Sequence, residues 1–140
     1  VYEVLSALLC HGYTEHAVDF DLRGAGIHAV HVHLPTTGRM TVIVTIARTD
    51  REPFTPLESA RIDVALRYPD GQARPTGSHA FIEGENDESV RPVALTLPIN
   101  LEMTVTSTGL HAVEVSVNPS RTPTLLSLPL AVRPWSTQRS

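Results

Sequence analysis

Cysteine is nearly missing from this chain: Cys10 is the only one. An intrachain disulfide framework is therefore excluded, as is a zinc site built from several cysteines. Aromatic residues are scarce at 5%, which leaves a sugar-stacking platform only Tyr2, Tyr13 and Trp135 to draw on. No stretch approaches the roughly 18 consecutive apolar residues of a membrane-spanning helix. Positive charge is not in excess either. A net charge of −4 and a pI near 5.9 speak against a general nucleic-acid binder. The apolar opening has no basic region before it and carries Glu3, a poor match to a signal peptide. With a single cysteine, this gives the expectation of a cytoplasmic protein with neither membrane nor nucleic acid as partner.

What is present reads as strands and turns. Hydrophobic residues make up 41% of the 140, enough for one packed core without staples. Eleven prolines and eight glycines suit many short strands joined by turns. Across residues 109–132 the alternation is clearest. Val113, Val115 and Val117 alternate with Ala112, Glu114 and Ser116, and Leu126, Leu128, Leu130 and Val132 repeat the pattern after a proline-containing turn. Period two with β-branched residues predicts two strands, each with one buried face. Such a pair needs a second sheet to cover it. The expected fold is all-β: a mostly antiparallel, two-sheet, Ig-like β-sandwich of about seven to nine strands over residues 1–134, with 135–140 as a loose tail.

Taken in order, residues 4–10 are expected to form a first strand. Val18, Phe20 and Leu22 alternate with Asp19 and Asp21, and Gly24-Ala25-Gly26 supplies turn residues before a return strand over 27–34. Leu34-Pro35-Thr36-Thr37-Gly38 is expected to end it. Met40 to Ala47 is almost wholly apolar or β-branched and predicts a central strand. A polar connection follows, with Thr55-Pro56-Leu57-Glu58 at the spacing of a single helical turn. Ile62, Val64 and Leu66 mark a strand, and Tyr68-Pro69-Asp70-Gly71 a tight turn. A short strand is expected near 79–83, then an acidic loop over 83–88. The same-parity series Val93 to Val105 is long enough to suggest a bend near Pro98 or Asn100.

Several of these signatures occur together in a recognisable order. They are Ala7-Leu8-Leu9-Cys10, Gly24-Ala25-Gly26-Ile27 leading to Leu34-Pro35, Tyr68-Pro69-Asp70-Gly71, Gly109-Leu110-His111 with Glu114-Val115, and Leu128-Pro129-Leu130. In that order the chain resembles an uncharacterised family of small bacterial β-sandwich proteins of unassigned function. The resemblance implies the fold and carries no catalytic residue with it.

The histidines are the chemically suggestive set. His31 and His33 share one face of a strand, about 6.6 Å apart along it. If Gly24-Ala25-Gly26 closes a hairpin, Phe20 pairs with Val30 and Val18 with Val32, which sets Asp19 opposite His31. Two imidazoles and a carboxylate make His31, His33 and Asp19 the candidate metal ligands, with zinc the candidate cofactor. The competing reading is a plain solvent face. Cys10-His11 is no nucleophile and base, because neighbours on a strand point to opposite sides, and a buried structural thiol is expected. Neither a Gly-x-Ser-x-Gly elbow nor a glycine-rich phosphate loop occurs. The leading expectation is a non-enzymatic interaction or assembly module that uses loops or an exposed sheet edge, with a protein partner or self-association. A zinc-type enzyme or sensor on the His31/His33/Asp19 face is the alternative, and a carbohydrate-binding module the third.

Overall fold

The computed structural model describes residues 2–17, 19–48, 59–82, 94–118 and 125–135. Among them the chain is all-β, with ten strands and no helix. They are β1 (Tyr2–Cys10), β2 (Gly12–Glu15), β3 (Phe20–Arg23), β4 (Ala29–Val32), β5 (Thr36–Arg48), β6 (Ser59–Arg67), β7 (Ala73–Ile82), β8 (Ala94–Val105), β9 (Gly109–Asn118) and β10 (Leu126–Pro134). Three sheets result, in the orders β1-β5-β8, β4-β10-β9-β6-β7 and β2-β3. One sheet curls into a half-barrel.

The two larger sheets share one core. Val42, Val44 and Ile46 of β5, Ile99, Leu101 and Met103 of β8, Ile62, Val64 and Leu66 of β6 and Val113, Val115 and Val117 of β9 are all buried in it. Every contact of this kind between the sheets removes apolar surface from water, at roughly 25 cal/mol per Å². The pair read from residues 109–132 lies at the middle of the five-stranded sheet. Leu126 sits across from Val115 and Leu128 from Val113, so the two apolar faces coincide. The turn at Tyr68 to Gly71 also forms: Gly71 takes φ +91, its N–H donates to the Tyr68 carbonyl, and Tyr68 N–H donates to Gln72. The Tyr68 hydroxyl then reaches Thr104 of β8 at 2.6 Å and ties one sheet to the other.

Other expectations are corrected. The strand at 20–23 does not pair with the strand at 29–32. β3 pairs with β2, setting Phe20 across from Glu15, while β4 pairs with β10 in parallel, Val30 across from Val132. The reason lies in the Gly24-Ala25-Gly26 link. Gly24 and Gly26 take φ +60 and +81, and the N–H groups of Gly26 and Ile27 both donate to Leu9 of β1. The link hands the chain to another strand instead of folding it back. Thr36, Thr37 and Gly38 do not terminate a strand but begin β5, Thr36 standing across from Val105. β7 starts at Ala73, six positions before the expected start at 79 (~2 nm of extended chain). β8 runs past Pro98 and Asn100 with no register shift against β5. Ten strands exceed the seven to nine expected. Trp135 is held, its N–H donating to Val32 at 2.9 Å; residues 136–140, the expected helical turn at 55–58 and the acidic loop at 83–88 lie outside the described residues.

Three of the four outer edges of the two larger sheets carry a feature that discourages pairing. β1 is bulged between Val4 and Ser6, leaving Leu5 exposed. β7 contains Pro75 beside a second register shift and β8 contains Pro98, whereas β4 is short at four residues but has neither a proline nor a register shift.

Candidate functional site

The three expected ligands do not converge. Asp19 precedes β3, His31 lies in β4, and these strands belong to different sheets. Among the described residues no group of three His, Cys, Asp or Glu side chains could hold a metal ion. Asp21, not Asp19, has a histidine partner: His16 Nε2 lies 2.7 Å from its carboxylate in an exposed pair at the end of the β2–β3 ribbon. Cys10 is fully buried, and burial pushes its thiol pKa up, only partly offset by the Gly12 backbone hydrogen bond and the Arg23 charge. His11 beside it is exposed. Tyr2 is buried, so the three aromatics Tyr2, Tyr13 and Trp135 do not form an open platform. Tyr13 instead packs edge-on against Phe20, with ring centroids 5.9 Å apart.

What the fold does assemble is a patch on the outer face of the five-stranded sheet. On β9 and β10 the residues alternating with the core set are Leu110, Ala112 and Glu114, and Ser127, Pro129, Ala131 and Arg133. The register lines them up in rows. Arg67, Ala112 and Pro129 form one row, Leu110, Ala131 and Ala29 the next, and Arg133 with His31 a third. Leu110, 67% exposed, sits among the small side chains of the first two rows, and Trp135, 55% exposed, lies beyond the Arg133/His31 row. His33 packs on Trp135 at a centroid distance of 5.9 Å, which brings the expected histidine face into this patch. Beside Leu110 a depression of about 320 Å³ opens against the Tyr68 to Gly71 turn, floored by Ala112, Ser127 and Pro129.

Charge on this face is unevenly satisfied. Arg67 Nε donates to Glu114 at 2.9 Å, which holds the guanidinium pKa above its ordinary value, and Arg61 is paired with Asp63 at 3.0 Å. Arg133 has no carboxylate partner among the described residues. A larger depression of about 590 Å³ lies elsewhere, between His11, Arg39, Thr41, Thr76, Asn100 and Glu102. There the Thr41 hydroxyl is already engaged by Asn100 at 3.1 Å, and Arg39 stands directly across from Glu102.

One residue, read from the sequence only as part of the Gly109-Leu110-His111 signature, takes an unexpected position. His111 is 1% exposed on the core face of β9, its Nδ1–H donating to the Gly109 carbonyl at 3.0 Å and its ring 5.5 Å from Tyr68. Its Nε2 is buried without a hydrogen-bond partner among the described residues. The signal was there: His111 keeps the parity of Val113, Val115 and Val117. No helix among the described residues is long and apolar enough to cross a membrane. No protein-family model matches the sequence, and no curated protein matches it significantly.

Proposed function

We propose that this chain is a non-enzymatic interaction module of Ig-like β-sandwich type, and that a protein partner docks on the outer face around β4 and β10. The observation that carries the reading is that Leu110 and Trp135, both more than half exposed, lie on one face, Leu110 among the small side chains Ala29, Ala112, Ala131 and Pro129 and Trp135 beyond the Arg133/His31 row. Leaving two large apolar side chains more than half in water forgoes about 1–2 kcal/mol of burial each, and exposed apolar patches rimmed by polar groups mark interaction surfaces. Blunted edges elsewhere favour this face over pairing along β1, β7 or β8.

Site-specific photo-crosslinking tests it. A benzophenone amino acid at position 110, in cells that make the chain, is expected to give discrete adducts that disappear in a Trp135→Ala background. The same probe at position 37, exposed on the other sheet, is expected to give none of them. Equal patterns from both positions, or no adduct from position 110, would remove the reading.

A further inference from the structure

Resting on that reading, we propose that the partner contributes an extended acidic segment, which adds as a strand to the open side of β4. Backbone geometry comes first. Ala131 N–H donates to the His28 carbonyl and Trp135 N–H to the Val32 carbonyl, each at 2.9 Å. In a parallel ladder this commits the polar groups of the even-numbered residues of β4 to β10. By alternation, the N–H and C=O groups of Ala29, His31 and His33 face the opposite side, where no strand of the described residues lies. They form a short template for a strand of five or six residues.

Side-chain chemistry comes second, and it falls on the same residues. His31 and His33 stand exposed on the outer face and offer imidazole N–H donors. Arg133 is one strand spacing, about 4.8 Å, further in, directly across from His31. The other two arginines of this face, Arg61 and Arg67, are held by Asp63 and Glu114. The cation without a carboxylate partner is therefore the one beside the free edge, and the carboxylates described on this face are already occupied. An added strand with an acidic residue at every second position would direct those carboxylates toward His31, His33 and Arg133. Its intervening residues would fall beside Val30 and Val32, which are only partly buried against the core, so apolar residues suit them. Charge of opposite sign along this stretch also steers encounter and disfavours basic partners.

The test is selection of a phage-displayed library of random decapeptides on the whole chain, followed by titration of synthetic winners. Trp135 is the only tryptophan and reports binding at this corner by its fluorescence. Winners are expected to alternate Asp or Glu with apolar residues and to shift Trp135 emission saturably. Their affinity is expected to fall at least tenfold with Arg133→Glu, to survive Arg133→Lys, and to fall when alternate peptide amides are N-methylated. Unchanged melting of both variants keeps the comparison valid, and Arg133 is exposed, so both are expected to fold. Winners without acidic bias that still shift Trp135, or winners indifferent to N-methylation, overturn the acidic-strand inference and leave the docking face standing. Winners whose binding, read by calorimetry, ignores Trp135→Ala and Leu110→Asp, or an empty selection, overturn both.

Discussion

Gly77→Ala offers a test in which two opposing effects differ in sign. In an ordinary strand, replacing glycine by alanine stabilises by roughly 0.5–1 kcal/mol, because the unfolded chain loses freedom. At Gly77 a Cβ would lie 2.8 Å from the backbone carbonyl oxygen of Asn100 and 2.9 Å from Leu101 Cδ2, where ordinary contact starts at 3.4 Å. The shortfall of about 0.6 Å must be met by backbone, since Asn100 is pinned across from Thr41 in the β5–β8 ladder and Gly77 across from Val64 in β6. Overpacking of this kind costs about 1–3 kcal/mol, so the net effect is a loss of about 1–2 kcal/mol. For a chain of 140 residues, unfolding entropy of about 2.1 cal/mol/K per residue converts that to a melting temperature lower by about 3–7 °C. Gly38→Ala is the matched control. A Cβ there meets nothing within 4 Å and its φ is not positive, so Gly38→Ala is expected to raise the melting temperature by about 2–3 °C. Calorimetry and urea unfolding of the two variants beside the parent read both numbers. A Gly77→Ala protein that melts at or above the parent would refute the close approach of β7 and β8.

Three further outcomes are expected. Val115→Asp places an unpaired carboxylate at a fully buried position of the central strand β9, at a cost of several kcal/mol against a total stability of about 5–15; a soluble, cooperatively melting product would contradict the burial. Tyr68→Phe removes the 2.6 Å bond to Thr104 and is expected to cost about 1 kcal/mol, near 3 °C in melting temperature; an unchanged melting curve would mean the sheets do not depend on that tie. Cys10 is raised by burial above the ordinary thiol value of 9.0, so the folded state holds its proton at pH values where the unfolded state releases it. The stabilisation this represents is complete below 9.0 and is lost as pH rises further, so the parent's urea midpoint should fall across that range more steeply than that of Cys10→Ala. Parallel curves would refute it.

Much of the fold follows from local chemistry written in the chain. Alternation alone assigns Val113, Val115 and Val117 and the series Leu126 to Val132 to one buried face, because side chains on a strand alternate whatever it pairs with. Tyr68-Pro69-Asp70-Gly71 specifies its own turn through proline's fixed φ and a glycine free to take φ +91. The same alternation also places Leu110 and Arg133 on an outer face and His111 on an inner one. Partner choice is another matter. Phe20 and Leu22 have the same parity whether β3 meets β2 or β4, and Val30 and Val32 fit β10 as well as they would fit β3. Two N–H groups donated to the Leu9 carbonyl decide between these arrangements, and they come from a contact between residues distant in sequence. The candidate site shares that origin. His31 and His33 were legible as a histidine face, but their neighbours Arg133 and Trp135 arrive through a parallel crossover that no local pattern encodes. A period of two states which way a side chain points, and only the closed set of tertiary hydrogen bonds states what it points beside.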